Sequence, residues 1–125
     1  MNTEDRNTIK YLRDLSSPEA ASWLITNHPS DGCRFVSKRS WDKKEHALLA
    51  DHFLQSIPHA SNHCYRALLS VMSVPTFYKS LQKHLPVSKT DGELLSYYIV
   101  RELNLASKTE IDNDIVTNFI DSLNT

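Results

Sequence analysis

Residues 40–72 read SWDKKEHALLADHFLQSIPHASNHCYRALLSVM and predict two helices joined by a proline turn. Ser40 is a suitable N-cap for the first helix, and Pro58 ends it because proline cannot continue a helical hydrogen-bond ladder. Projected at about 100° per residue, apolar side chains cover most of the circumference of this helix. They are Trp41, Leu48, Leu49, Ala50, Phe53, Leu54 and Ile57. A helix with so little polar surface is predicted to lie at the centre of the fold.

The second helix of this hairpin is predicted to be amphipathic. Its apolar residues recur at i, i+3, i+4 and i+7, as Tyr65, Leu68, Leu69 and Met72 do. The opposite face carries hydrogen-bonding side chains at Asn62, His63, Arg66 and Ser70. A recognition helix of a helix-turn-helix protein places such groups near its N-terminus to read base edges, so this face is a candidate nucleic-acid interface. The sequence pI of about 6.6 argues against it, because domains of that class are strongly basic.

The remaining prolines and the two glycines punctuate further helical patterns. Helices are predicted at about 3–15, 17–27, 73–85, 90–105 and 107–123, the last two opened by the capping spacings of Thr90 with Glu93 and of Ser107 with Glu110. Residues 30–39 are predicted to form the longest loop, with a short extended segment at 33–37, Phe35 inward and Arg34, Lys38 and Arg39 in water. The fold class is therefore all-α: a single compact bundle of about six to seven short helices around a central apolar helix at about 40–57.

Composition limits the type of protein. With 125 residues, of which 40% are hydrophobic, the chain 1–125 is expected to form one helical domain. No segment approaches the roughly 20 apolar residues of a membrane span, and the acidic start lacks the pattern of a signal peptide, so we expect a cytoplasmic protein with no membrane partner. Cys33 and Cys64 do not make a disulfide framework and are predicted to be free thiols.

The net charge of −1 is unevenly distributed. Residues 34–90 carry 9 basic and 3 acidic side chains, whereas residues 91–125 carry 2 and 7. In the last predicted helix Ile111, Ile115, Phe119, Ile120 and Leu123 are expected to point inward, which leaves Glu110, Asp114, Thr117 and Asp121 in a stripe at i, i+4, i+7 and i+11. Such a stripe is either a solvated face or a docking surface for a basic partner.

The sequence contains no pattern typical of an enzyme. Phosphate cradles need closely spaced glycines, and Gly32 and Gly92 are sixty residues apart. His59, His63 and Cys64 make at best half of a zinc site, and no spacing pairs a cysteine with a catalytic base. His46 and His52 fall among apolar positions and are predicted to be structural histidines. We expect no enzymatic activity, no metal, no cofactor and no small-molecule substrate.

The chain resembles small helical immunity proteins of bacterial contact-dependent growth inhibition. The resemblance covers roughly residues 40–103 and rests on core and turn residues, namely Ser40-Trp41, Leu49-Ala50-Asp51-His52-Phe53-Leu54, Ile57-Pro58-His59-Ala60-Ser61, Tyr65, Val71-Met72-Ser73 and Leu94-Leu95-Ser96-Tyr97-Tyr98. It implies a non-enzymatic cytoplasmic protein that binds one cognate toxin domain and covers its active site.

A toxin partner makes the acidic stripe the expected binding surface. Many such toxins are nucleases, whose substrate sites are positive in order to hold phosphate. An inhibitor with an acidic face fits such a site, so we expect Glu110, Asp114, Thr117 and Asp121, joined by Glu102, to bind the partner. In this interpretation nucleic acid is not the partner.

Overall fold

A computed structural model describes residues 2–85 and 87–123 and shows eight helices in them. They are α1 (Thr3–Asp14), α2 (Ser17–Asn27), α3 (Cys33–Val36), α4 (Lys43–Leu54), α5 (His63–Val71), α6 (Val74–Gln82), α7 (Lys89–Ala106) and α8 (Glu110–Leu123). The all-α prediction is confirmed. The predicted count of six to seven is slightly low, because α3 was expected to be loop. In the described part of the chain, no helix has both the length and the apolar composition needed to cross a bilayer.

Serine caps set where several helices begin. The Ser16 hydroxyl accepts the backbone N–H of Glu19, so α2 starts one residue earlier than a Ser17 cap would allow. Likewise, α7 starts after Ser88, whose hydroxyl accepts the Asp91 N–H at 3.1 Å. The predicted Thr90 cap is therefore wrong. Ser88 and Asp91 offer the same polar spacing two residues earlier.

Helix α4 occupies the middle of the bundle, where it packs against α2, α5 and α6. Its inner side is buried at Leu49, Ala50, Phe53 and Leu54. The outer side is in water, however, and Leu48 there is 46% exposed. The central position of α4 agrees with the prediction, but the helix is shorter than the expected 40–57, begins after Asp42 instead of Ser40, and is not apolar and buried on its outer side.

Residues 33–36 form a helical turn instead of the expected extended segment. Gly32 enables the tight approach of α3 to α2, since a Cβ there would lie 2.5 Å from the carbonyl oxygen of His28. Phe35 points inward as predicted and is 2% exposed. The same turn packs α3 against α5.

Cys33 and Cys64 are joined by a disulfide, so the prediction of free thiols is wrong. The packing of α3 on α5 brings their Cα atoms to 5.3 Å, within the range that a disulfide spans. The bridge connects positions 31 residues apart. Sequence spacing could not reveal this pairing, because it follows from the contact between the two helices.

The loop after α3 is held to α1 by two arginines. The Arg39 guanidinium donates from Nη1 to the carbonyl oxygens of Leu12 and Leu15, the latter at 2.9 Å, and it stacks over the Trp41 ring. Arg13 donates from Nε to the Lys38 carbonyl oxygen at 2.9 Å. The last carbonyls of a helix lack a full set of helical partners, and Arg39 adds a charged donor to Leu12, whose oxygen also accepts the Leu15 N–H, and to Leu15. The expectation that Arg39 lies free in water is therefore wrong.

Replacing Arg39 by methionine should destabilise the protein by about 1–3 kcal/mol, because two partly buried carbonyl oxygens lose a charged donor. Urea denaturation would measure this change. Lys79→Met is the matched control, because Lys79 is exposed on α6, and its effect should stay within about 0.5 kcal/mol. Equal stability losses in both variants would contradict this role for Arg39.

Candidate partner-binding surface

The acidic stripe of α8 faces water. Glu110, Asp114, Thr117 and Asp121 are all exposed, while Asp112, Val116 and Phe119 on the opposite side are buried. In the part of the chain that the structure describes, no ion pair involves the three acidic groups of the stripe. Their charge is therefore available to a partner.

The start of α8 differs from the sequence prediction. The Thr109 hydroxyl accepts the Asp112 N–H at 3.1 Å, and the Asp112 carboxylate accepts the Lys108 N–H at 3.0 Å. These bonds resemble a capping box shifted from Ser107 to Thr109, except that the Asp112 carboxylate bonds to the residue before the cap. It draws Asp112 inward and leaves Ile111 67% exposed, so the expectation of an inward Ile111 is wrong.

Glu102 does not belong to this exposed stripe. Its side chain is on α7, is 4% exposed and accepts three hydrogen bonds: from Arg66 Nε at 3.1 Å, from Arg66 Nη2 at 3.0 Å and from Asn62 Nδ2 at 2.9 Å. These bonds, led by that from Arg66, hold the pKa of the Glu102 carboxyl below its usual value against the opposing effect of burial. Glu102 thus connects α7 to α5 and is not placed to touch a partner.

The same network engages part of the candidate nucleic-acid face. Asn62 and Arg66 donate to Glu102, and the Ser70 hydroxyl donates to the Ala67 carbonyl oxygen at 2.6 Å. His63 is exposed at the start of α5. The structure therefore brings Asn62 and Arg66 together, but around a carboxylate of the protein itself. Reading bases with these two side chains would require breaking that network.

His46 and His52, which the sequence predicts to be structural, bond to backbone carbonyls, as does His59. His46 Nε2 lies 3.1 Å from the Trp41 oxygen, and His52 Nε2 lies 2.9 Å from the Pro29 oxygen. His59 Nε2 lies 2.8 Å from the Phe53 oxygen. In the described residues, no three His, Cys, Asp or Glu side chains are grouped so as to hold a metal ion.

Sequence reasoning missed an apolar stripe on the outside of α7. Leu94, Tyr97 and Leu105 are 40%, 76% and 65% exposed, and they share one helix face with Arg101 at i, i+3, i+7 and i+11. The opposite face is fully buried at Leu95, Ile99 and Leu103. Helical projection contains this signal, because Leu95 and Ile99 define an inner face from which Tyr97 points away.

The outer sides of α7 and α8 together form the candidate site. The two helices pack against each other after a three-residue connection, and both stripes point away from the core. We call this the α7–α8 surface; its residues are Leu94, Tyr97, Arg101, Leu105, Glu110, Asp114, Thr117 and Asp121. Tyrosine and arginine are the residue types enriched in the parts of interfaces that contribute most binding energy. The surface therefore combines anchor side chains with a charged flank.

The pKa shift of Glu102 predicts a pH-dependent stability difference between the wild type and Glu102→Gln. A group whose pKa is lowered by folding stabilises the folded state above its ordinary pKa of 4.5, and this stabilisation is lost as the pH falls through the folded-state value. Glu102→Gln should therefore be less stable at neutral pH and approach the wild type as the pH falls below 4.5.

Denaturation at a series of pH values would test this expectation. Glu93→Gln is the matched control because Glu93 is an exposed glutamate on the same helix, and its difference from the wild type should stay small throughout. A Glu102→Gln difference that does not change with pH would contradict the assigned ion pair.

No protein-family model, curated protein or solved structure matches this chain. The function is therefore argued from the α7–α8 surface and its chemistry.

Proposed function

We propose that this protein is a non-enzymatic immunity protein, which binds a cognate toxin domain and neutralises it by covering its active site. The observation that supports the proposal is the α7–α8 surface, where α8 carries exposed acidic groups that make no ion pair within the described residues and the neighbouring α7 carries the exposed Tyr97. The resemblance in residues 40–103 supplies the class of partner. The partner is a C-terminal toxin domain, and the binding takes place in the cytoplasm.

A nuclease is the toxin that best suits this surface. Its active site has to be positive in order to hold the phosphates of its substrate, and the carboxylates of Glu110, Asp114 and Asp121 complement that charge. Charge complementarity mainly raises the association rate and selects the partner. Leu94, Tyr97 and Leu105 provide the apolar area that keeps the complex together.

The proposed cytoplasmic location bears on the disulfide. A reducing compartment opposes the Cys33–Cys64 disulfide that the structure contains, so this bond would be exposed to reduction there. Neither cysteine belongs to the α7–α8 surface, and the helices that form it carry no cysteine. A change in the state of this pair therefore alters no residue of the α7–α8 surface itself.

Reversing the charge of the stripe tests the acidic part of the surface. The variant Glu110→Lys, Asp114→Lys, Asp121→Lys should associate with the toxin domain at least about tenfold more slowly, because attraction to a positive site becomes repulsion. Stopped-flow or surface plasmon resonance at several salt concentrations would measure the rates. The control reverses three exposed acids elsewhere, Glu4, Asp14 and Asp42, and should keep most of the rate. Undiminished protection by the α8 variant would exclude the acidic surface.

Truncating Tyr97 tests the apolar part of the same surface. Tyr97→Ala should raise the dissociation rate at least about tenfold, which corresponds to about 1.4 kcal/mol, and leave the association rate nearly unchanged. Tyr11→Ala is the matched control, because Tyr11 is a 46% exposed tyrosine on α1, away from α7 and α8. Equal dissociation rates for the wild type and Tyr97→Ala would remove Tyr97 from the interface.

The toxin domain for these experiments is defined by gene order. An immunity gene lies directly downstream of the end of a very large secreted-toxin gene, and that end encodes the domain to be tested. A neighbourhood without such a gene, or the absence of binding to the domain it encodes, would overturn the proposed function.

A further inference from the structure

A cleft between α1 and the loop after α3 is lined by four basic side chains. Arg6, Lys10 and Arg13 lie along one face of α1, and Lys38 comes from the loop. Ile9 lies between them and is 7% exposed, and Asp14 is the acidic residue of the lining. The cleft has a volume of about 480 Å³. A net positive concavity of this size stands out in a protein with an overall charge of −1.

One of the four basic groups is fixed in place. Arg13 donates from Nε to the Lys38 carbonyl oxygen at 2.9 Å, which orients its guanidinium plane and joins the two sides of the cleft. Neither terminal nitrogen of Arg13 makes a hydrogen bond within the described residues, so both are available to a ligand. A guanidinium held in this way has already lost much of its conformational freedom, so less is lost when it binds an anion.

The basic charge of the cleft is not neutralised by the protein. Within residues 2–85 and 87–123, no ion pair involves Arg6, Lys10, Arg13 or Lys38. Of the acids nearby, Asp5 pairs with Arg34 at 2.7 Å, whereas Asp14 belongs to the lining and offsets one of its four positive charges. Arg6 and Lys10 are four residues apart on one helix, where like charges repel. An anion between them would relieve this repulsion.

We propose that the cleft binds a small anion that carries two or more phosphate groups. Arginine forks match phosphate oxygens in pairs, and lysine ammonium groups add point charges that tolerate a range of geometries. One phosphate group would sit on the Arg13 fork against Lys38, and another would lie between Arg6 and Lys10. This binding site is separate from the α7–α8 surface and does not rest on the toxin-binding proposal.

The shape of the cleft favours a compact anion over a nucleic acid duplex. The four basic groups line one open depression of local extent, with an apolar residue, Ile9, in its lining. A duplex needs cations spread along an extended surface, where phosphates recur at regular intervals along two strands. Duplex DNA therefore serves as the competing ligand in the test.

Titration of the full chain with inorganic tripolyphosphate at low ionic strength tests the proposal. Calorimetry should show saturable binding that weakens as salt is added, and orthophosphate should bind more weakly because it occupies only one of the two positions. Arg6→Gln, Lys10→Gln should weaken the binding of tripolyphosphate by about tenfold or more. The matched control, Lys44→Gln, Lys79→Gln, removes the same charge from exposed positions outside the cleft and should change the affinity by less than about twofold.

A further variant distinguishes the effect of the guanidinium geometry on binding from the effect of net charge. Arg13→Lys keeps the charge but loses the fork, and it should also weaken tripolyphosphate binding. Thermal melts of every variant without ligand show that the fold is retained. Absence of saturable binding, equal losses in both double variants, unchanged affinity in Arg13→Lys, or tighter binding of a duplex oligonucleotide would each overturn the proposal.

Discussion

The buried carboxylate of Glu102 determines how the last third of the molecule is arranged. A charge taken out of water is costly unless it is paired and hydrogen-bonded, and here the partners come from α5, as Arg66 and Asn62. Turning Glu102 toward α5 fixes the rotation of α7 about its axis. Leu95 and Ile99 then enter the core, Tyr97 points outward, and α8 packs beside α7. Glu102 was predicted to bind a toxin and Arg66 to bind nucleic acid. In the structure the two side chains are partners in one internal contact.

The basic middle segment and the acidic last segment differ in how far their charged side chains form internal ion pairs. Several basic side chains of the middle segment are neutralised internally, since Arg34 pairs with Asp5 and Asp31, and Lys83 pairs with Asp51. The acids of α8 have no such ion pairs within the described residues. A concavity with four basic side chains lies along α1, a helix that the segment charges do not mark as basic. Tertiary pairing therefore moves the positive surface away from the segment with the largest basic excess, whereas the acidic surface stays in the acidic segment.

Local patterns predicted most of the helices and the exposure of the acidic stripe, because both depend on periodicity and capping within one segment. Glu110, Asp114, Thr117 and Asp121 lie where a projection of α8 puts them. The failures concern contacts between segments. The burial of Glu102, the bridge from Cys33 to Cys64 and the bonds of Arg39 to the end of α1 all require knowing which elements meet. The predicted cap of α8 is wrong for a different reason. Thr109 and Asp112 have the same spacing and the same kinds of polar group as the predicted pair, Ser107 and Glu110.

The separation of the α7–α8 surface from the core has a consequence for how such a protein can evolve. Tyr97, Asp114 and Asp121 contribute little to the packed interior, so they can be exchanged at little cost to folding. Glu102 is on the same helix as Tyr97, yet it cannot change without a compensating change at Arg66. A lineage under pressure to recognise a new partner can therefore diversify one side of α7 rapidly while the other side stays invariant.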